Sequence, residues 1–152
     1  MSELEIKFEK VVNIWPDLER LAIQEQIEVG EERRFGPDWQ SMAILNEQGI
    51  LQVLTAWVDY RMVGYLGWLL DFDLESKGTL IANQISWFVE PKHPVVAVKM
   101  LDRAIAEMKK ASVEFVYFHH VINGRGATVG RLFERRGAKL LSHNYVMRLK
   151  GA

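Results

Sequence analysis

Two long apolar segments with a short polar break between them constrain the fold of this chain more than any other feature. The first runs over residues 50–58 (ILQVLTAWV) and the second from Met62 to Asp71, with Asp59-Tyr60-Arg61 between them. This pattern is typical of two antiparallel strands joined by a tight turn. The nearly continuous apolar character of both segments predicts strands that are covered on both faces. We therefore expect a sheet with other elements packed on each side.

Periodicity and turn signals place the other elements around this hairpin. Asn13 is the predicted cap of the first helix, and Gly30 is its predicted end. The predicted order is a strand Leu4–Val12, a helix Trp15–Gly30, a short helix Asp38–Asn46, the hairpin, a strand Thr79–Glu90, a helix after Pro91, a strand Val113–Ile122, a helix Ala127–Arg136 closed by Gly137 and a last strand Leu140–Leu149. This order predicts a single α/β or α+β domain over residues 1–152 with one mixed sheet.

Composition excludes several classes of protein. The chain has 19 Lys and Arg against 20 Asp and Glu, so no basic field is present to hold nucleic acid. It has no cysteine, which excludes a disulfide framework and a Cys nucleophile and is consistent with a reducing cytoplasm. Met62 to Leu70 is the longest nearly uncharged stretch and is too short to cross a membrane, and the first thirty residues do not resemble a secretory signal. We expect a cytoplasmic protein without a nucleic-acid or membrane partner.

Three stretches carry a resemblance to a known family. They are the hairpin LQVLTAWVDYRMVGYLGWLL (51–70), the strand that leads into Val89-Glu90-Pro91-Lys92-His93, and the closing FERRGAKLLSHNYVMRL (133–149). Together with the order of elements, they resemble the GNAT (Gcn5-related N-acetyltransferase) superfamily, especially the small GNAT-like proteins of tailed bacteriophages. The resemblance implies a mixed, mostly antiparallel central sheet flanked by helices, and acetyl-CoA as the cofactor.

The resemblance also implies where acetyl-CoA would bind. A helix N-terminus offers unpaired amides and the positive end of a dipole to the pyrophosphate, here at residues 93–99. Family members place glycines and a basic or amide side chain in this loop, whereas this chain has side chains at both glycine positions and a proline without an amide. The resemblance assigns cofactor contacts to a set of backbone and side-chain positions, namely Phe88, Val89, Val95, Val96, Ala97, Lys99 and Asn123. Because the glycines are missing, loss of cofactor binding stays an alternative.

Three residues are candidates for acid-base catalysis. Glu90 follows the strand whose amides would polarise the thioester, so it is a candidate base, with a solvated glutamate as the alternative. His119 is a second candidate base, since only one member of His119-His120 can face a given cleft, with a core or rim histidine as the alternative. The Tyr that serves as acid in the family aligns with Phe133, which has no proton to give, and Tyr145 is a poorer substitute. The scattered His93 and His143 do not predict a metal site.

Two functions of different class follow. The first is an acyltransferase that moves an acetyl group from acetyl-CoA to an amine. The second is a catalytically inactive GNAT-fold phage protein that acts as a virion-associated, assembly or host-binding component and would be found in the host cytoplasm or the virion. Its partner would be a protein, a phage particle or a second copy in a homo-oligomer. Among five tryptophans, Trp39 is expected to be exposed in a loop, at a cleft or partner surface, with a core or lid role as an equal alternative.

Overall fold

The computed structural model describes residues 2–30, 34–120 and 125–151 and confirms the predicted order of elements except for the last strand. The elements are β1 (Leu4–Phe8), α1 (Val11–Val29), α2 (Trp39–Glu47), β2 (Leu51–Val58), β3 (Arg61–Phe72), β4 (Leu80–Val89), α3 (Pro94–Lys110), β5 (Phe115–Tyr117) and α4 (Gly126–Glu134). The strands form one sheet in the order β1-β2-β3-β4-β5. All neighbours are antiparallel except β4 and β5, which are parallel. The predicted mixed, mostly antiparallel sheet flanked by helices is confirmed.

The hairpin that dominates the sequence is present as predicted. Its turn is shorter than the three-residue polar break, since β3 already begins at Arg61. Asp59 and Tyr60 have φ values of 49° and 65°. Two consecutive left-handed residues give a turn whose twist matches that of the flanking strands.

Both faces of the sheet are covered, as the apolar strands predict. On one face, α3 packs against β2, β3 and β4 through side chains such as Met100 and Ala104, which are fully buried together with Leu66 and Trp68. On the other face, α1 places Leu18 and Leu21 against the sheet. The candidate functional site lies along the C-terminal half of β4, with the α1 layer on one face of the sheet and the α3 layer on the other.

The first helix starts four residues earlier than predicted. Residues up to Val12 were assigned to the first strand, but that strand ends at Phe8 and α1 begins at Val11. The predicted cap Asn13 therefore lies inside the helix, and the capping residue is Lys10, whose side chain makes no capping hydrogen bond. Instead, Asn46 of α2 accepts the Val11 amide at 2.9 Å through its side-chain oxygen. A cap supplied by another element has no local sequence signal.

The other predicted helix boundaries near this region hold. Gly30 ends α1 with a left-handed φ of 66°, and Asp38 caps α2 by accepting the Ser41 amide at 3.0 Å. Trp39 was expected in a loop, but it is the first residue of α2 and half-buried. Its ring lies 6.2 Å from that of Trp15, beside an apolar groove of about 660 Å³ between α1 and α2.

The C-terminal part differs most from the prediction. Of the strand expected over residues 113–122, only Phe115–Tyr117 is a strand among the described residues, and residues 121–122 lie outside them. The predicted strand Leu140–Leu149 is wrong, because residues 138–149 form neither strand nor helix. Alternating apolar residues form a strand only when a neighbouring strand accepts their backbone hydrogen bonds. The apolar side chains of this segment are exposed instead. No helix within the described ranges is long and apolar enough to span a bilayer.

Candidate functional site

The strands β4 and β5 pair over only three residues, and residues 84–89 of β4 have no strand partner on that side among the described residues. The register joins Ile81 to Phe115 and ends at Asn83 and Tyr117. Immediately beyond, a side chain joins the two segments, since Gln84 Oε1 accepts a hydrogen bond from the His119 amide at 2.8 Å. The two backbones have therefore diverged at this point. We call the space beside residues 84–89 of β4 the β4–β5 cleft.

The register of β4 decides which backbone groups face this cleft. The amide of Glu90 donates to the Val63 carbonyl of β3 at 2.9 Å. Backbone groups of successive strand residues point to opposite sides, so the amide of Phe88 also faces β3, whereas those of Trp87 and Val89 face the cleft. Of the two predicted backbone positions, the structure therefore turns Val89 toward the cleft and Phe88 away from it.

Aromatic side chains line the α4 side of the cleft. Phe133 of α4 is buried, with its ring 5.8 Å from Trp87 of β4 and 4.6 Å from Phe118, which follows β5. The rings of Phe118 and Phe133 are stacked at an interplanar angle of 13°. Phe133 is thus a packing residue that lies between β4 and the chain after β5.

The first turn of α3 follows directly on the end of β4. Val95 is 64% exposed there and Lys99 is exposed, while Val96 is buried in the core and Ala97 packs against it. Pro94 has no amide to offer to an anion, and the Val96 amide donates to the carbonyl of residue 93 at 3.1 Å. This helix N-terminus presents fewer free amides than a glycine-rich loop would.

A hydrogen-bonded group lies on the α1 side of the same stretch of β4. The Glu25 carboxylate of α1 accepts a short hydrogen bond from the Tyr65 hydroxyl and a second one from Ser86 Oγ at 2.9 Å. Burial raises the pKa of Glu25, and the hydrogen bonds from Tyr65 and Ser86 oppose this shift. Burial also raises the pKa of Tyr65, which stays protonated. The arrangement is a half-buried carboxyl with an increased affinity for a proton.

Arg125, at the start of α4, connects this group to the cleft. Its guanidinium donates to Glu28 of α1 at 2.6 Å and to the Val89 carbonyl at 2.9 Å. It also lies 5.5 Å from the centre of the Phe88 ring, within the range of a cation–π contact. The positively charged guanidinium of Arg125 therefore lies at the C-terminal end of β4.

Glu90 lies at the end of β4 and is only 7% exposed. Both of its carboxylate oxygens accept hydrogen bonds from the Arg61 guanidinium. These bonds lower the pKa of Glu90. The residue is neither solvated, as one interpretation held, nor free to take a proton near neutral pH.

The other predicted catalytic residues lie apart from this group. The His119 side chain is exposed beyond β5, and its backbone amide is engaged by Gln84. Tyr145 is 93% exposed in the segment after α4. Asn123 lies outside the described residues. Among the residues that the structure describes, no cluster of His, Cys, Asp or Glu could hold a metal ion.

Sequence reasoning missed Glu25, Tyr65 and Ser86. They lie on three elements, up to 61 residues apart, and each has an ordinary role in its own segment. Two signals were available. Glu25 and Glu28 are one turn apart in a helix whose other face is apolar, and Tyr65 interrupts a run of aliphatic residues with a polar hydroxyl.

The comparisons with known proteins agree with this architecture. No protein-family model matches the sequence, and a search of curated proteins finds no match. Among solved structures, an aminoglycoside acetyltransferase from an uncultured soil metagenomic sample, in complex with sisomicin, is 15% identical with a TM-score of 0.74, and 97% of each chain is covered. A ribosomal-protein-alanine N-acetyltransferase from Brucella melitensis biovar Abortus 2308 is 16% identical with a TM-score of 0.74, covering 96% of this chain and 99% of that one.

A third similar structure was solved with acetyl-CoA. It is a predicted acetyltransferase from Clostridium acetobutylicum, 15% identical with a TM-score of 0.75 and 96% of each chain covered. At these identities the likeness concerns the fold. This chain therefore has the fold of the GNAT acetyltransferases over nearly its whole length.

Proposed function

We propose that this protein transfers an acetyl group from acetyl-CoA to an amine. The observation that carries the proposal is the β4–β5 cleft, where the Trp87 and Val89 amides face away from β3 in a chain with an acetyltransferase fold. A strand edge of this kind can pair with a second chain of amides. The pantetheine arm of coenzyme A contains two such amides.

The residues around the cleft fit such a cofactor. The Val89 carbonyl, which now accepts a hydrogen bond from Arg125, would accept one from a pantetheine amide. The Val96 side chain is buried in the core and does not fill the space above the first turn of α3. Lys99 adds an exposed cation there, which compensates in part for the amide that Pro94 lacks. When bound, acetyl-CoA supplies an acetyl group activated as a thioester.

In this proposal, the cofactor and the acceptor amine bind on different sides of β4. The edge of β4 and the start of α3 would hold the cofactor, and the Val89 amide would donate to the thioester carbonyl oxygen, where it would stabilise negative charge. The acceptor amine approaches from the α1 side, where Glu25 and Glu28 provide negative charge.

Calorimetric titration with acetyl-CoA tests the cofactor part of the proposal. We expect micromolar binding that is lost in Val95→Glu, because a carboxylate at this helix start repels the pyrophosphate. Val12→Glu is the matched control, since Val12 is also an exposed valine at the second position of a helix, 58% exposed against 64% for Val95. Absence of binding up to millimolar acetyl-CoA would overturn the proposal and favour a protein-binding role.

Turnover tests the transfer itself. The names of similar structures suggest two first acceptors, namely sisomicin and a peptide that begins with alanine. Release of the coenzyme A thiol in the presence of either acceptor, above the rate without acceptor, is the expected result. Tight binding of acetyl-CoA with no acceptor-dependent thiol release for these or other amines would refute acetyl transfer while leaving the cofactor site intact.

A further inference from the structure

We propose that Glu25 is the group that accepts the proton of the acceptor ammonium, and that Tyr65 and Ser86 position its carboxylate for this step. The inference rests on the proposed function and names the catalytic base and the charge class of the substrate.

The position of Glu25 relative to the cleft supports this role. Its partner Ser86 immediately precedes Trp87, whose amide faces the cleft, and adjacent strand residues are about 3.3 Å apart. Between Gln84 and Ser86 the register of β3 and β4 shifts, so Ile85 has no partner on β3. Such a bulge bends the strand and re-aims its side chains. The carboxylate is thus held on the α1 face of β4, next to the place where β4 leaves β5.

The hydrogen bonds of Glu25 fix the carboxylate without neutralising it. Oε2 accepts from both the Tyr65 and the Ser86 hydroxyls, and these hydroxyls are themselves 3.2 Å apart. Neutral donors orient an oxygen and leave its negative charge in place. Glu90, by contrast, shares both of its oxygens with a guanidinium. Of these two carboxyls beside β4, Glu25 is the one suited to take and release a proton.

The charges around Glu25 select a cationic substrate. The groups that face it are Tyr65 of β3, Ser86 of β4, Glu28 of its own helix and Arg125 at the start of α4. The Arg125 guanidinium lies on Glu28, the Phe88 ring and the Val89 carbonyl. A carboxylate beside an aromatic face also suits an ammonium group. The acceptor in this proposal is a primary amine that arrives protonated and binds at the Glu25 carboxylate, which leaves the Val89 carbonyl to the cofactor.

The proton balance of the step is complete without a further reagent. One proton leaves the ammonium for Glu25, and the resulting amine forms a C–N bond to the acetyl carbon as the C–S bond breaks. The second proton lost by the nitrogen goes to the sulfur, which leaves as a thiol. Glu25 then returns its proton to solvent. Burial, which raises the pKa of Glu25, brings the carboxyl closer to the working pH of a general base.

The test uses acetyl-CoA with propylamine, a small primary amine that needs no specific recognition. In Glu25→Gln we expect kcat to fall by about 100-fold or more, with unchanged acetyl-CoA affinity by calorimetry. The pH profile of the wild-type kcat rises through the Glu25 pKa, and this limb is absent in the variant. Glu25→Asp retains part of the rate. The control is Glu47→Gln, an exposed glutamate of α2, which keeps the wild-type rate and profile.

The outcomes separate this inference from the proposed function. Glutamine keeps the oxygen that accepts from Tyr65 and Ser86, so Glu25→Gln should fold, and its thermal unfolding checks this. A Glu25→Gln rate within threefold of wild type, or an unchanged pH limb, overturns the inference while the proposed function stands. A wild-type protein that binds acetyl-CoA but acetylates neither propylamine nor a larger amine overturns acetyl transfer and, with it, this inference, and leaves only the cofactor site. If the wild-type protein does not bind acetyl-CoA, both this inference and the proposed function are wrong.

Discussion

Gly64 of β3 packs directly against the β4 residues beside the β4–β5 cleft. Replacing it by alanine should lower both the stability of the protein and its affinity for acetyl-CoA. A Cβ atom at this position would lie 2.8 Å from Val89 Cγ2, 3.0 Å from the Phe88 carbonyl oxygen and 3.2 Å from Met100 Sδ. Ordinary carbon contacts lie at about 3.5–4.0 Å. Two of these three atoms belong to the β4 residues that border the cleft. To accommodate the methyl group, the Val89 side chain must shift, and the Phe88 carbonyl of β4 and the Met100 side chain must give way slightly.

The size of the effect follows from two opposing contributions. Overpacking of a well-packed core destabilises by about 1–3 kcal/mol. Replacing glycine by alanine also restricts the unfolded chain, which stabilises by about 0.4–1 kcal/mol. Gly64 has no left-handed φ, so no backbone strain is added. We expect a net loss of about 1–2 kcal/mol in the free energy of unfolding, with a lower affinity for acetyl-CoA.

Gly67, three residues along the same strand, is the matched control. A Cβ atom there would lie 3.5 Å from Ile85 Cγ1 and 3.7 Å from the Gln52 carbonyl oxygen, which are ordinary contacts. Denaturant unfolding should therefore show Gly67→Ala at or slightly above wild-type stability and Gly64→Ala below it. Equal stability of the two variants would refute the argument that β3 and β4 touch at Gly64.

Four further predictions concern the site residues. Phe133→Ala should lower the free energy of unfolding by about 3–5 kcal/mol in a denaturant titration, because it removes the buried ring between Trp87 and Phe118. Arg125→Ala should raise the affinity for acetyl-CoA in calorimetry, since it frees the Val89 carbonyl; a weaker affinity would mean that Arg125 holds the cofactor. Glu25 binds its proton more tightly in the folded than in the unfolded chain, so its contribution to stability falls as pH rises from the ordinary carboxyl pKa through the higher folded pKa. Glu25→Gln should therefore gain stability relative to wild type above that window and match it below, as denaturant unfolding at several pH values can check. The Arg61–Glu90 ion pair depends on pH in the opposite direction. Its stabilisation is present above the pKa of Glu90 in the unfolded chain and is lost as pH falls through the lower pKa of Glu90 in the folded protein. The loss of stability caused by Arg61→Gln should therefore shrink in acid, as denaturant unfolding at low pH can check.

The sequence predicts the fold well where local patterns and burial agree. The hairpin, α3 and the capped start of α2 have apolar periodicity, turn residues and caps that all indicate the same element. The start of α1 was misplaced because its cap is Asn46, which lies 35 residues away in the sequence. The prediction of the last strand is wrong because alternating apolar and polar residues indicate only which face a strand would bury. They do not show whether a neighbouring strand is present for it to pair with.

The site was predictable only where one segment contains it. The β4 edge at Val89 and the start of α3 could be proposed from the sequence because strand, turn and helix follow one another directly in the chain. The Glu25, Tyr65 and Ser86 group exists only after α1 folds onto β3 and β4. Glu90 was singled out by its place in the chain, but its ion pair with Arg61 depends on the pairing of β3 with β4.

The central claim is that the free edge of β4 holds the cofactor, and amide chemical shifts of the labelled protein test it most directly. On addition of acetyl-CoA, the Trp87 and Val89 amides should shift strongly and gain protection from hydrogen exchange. The Phe88 amide, which lies between them and faces β3, should gain no protection and serves as the internal control. Saturable binding of acetyl-CoA that leaves the Trp87 and Val89 amides unprotected would contradict the account.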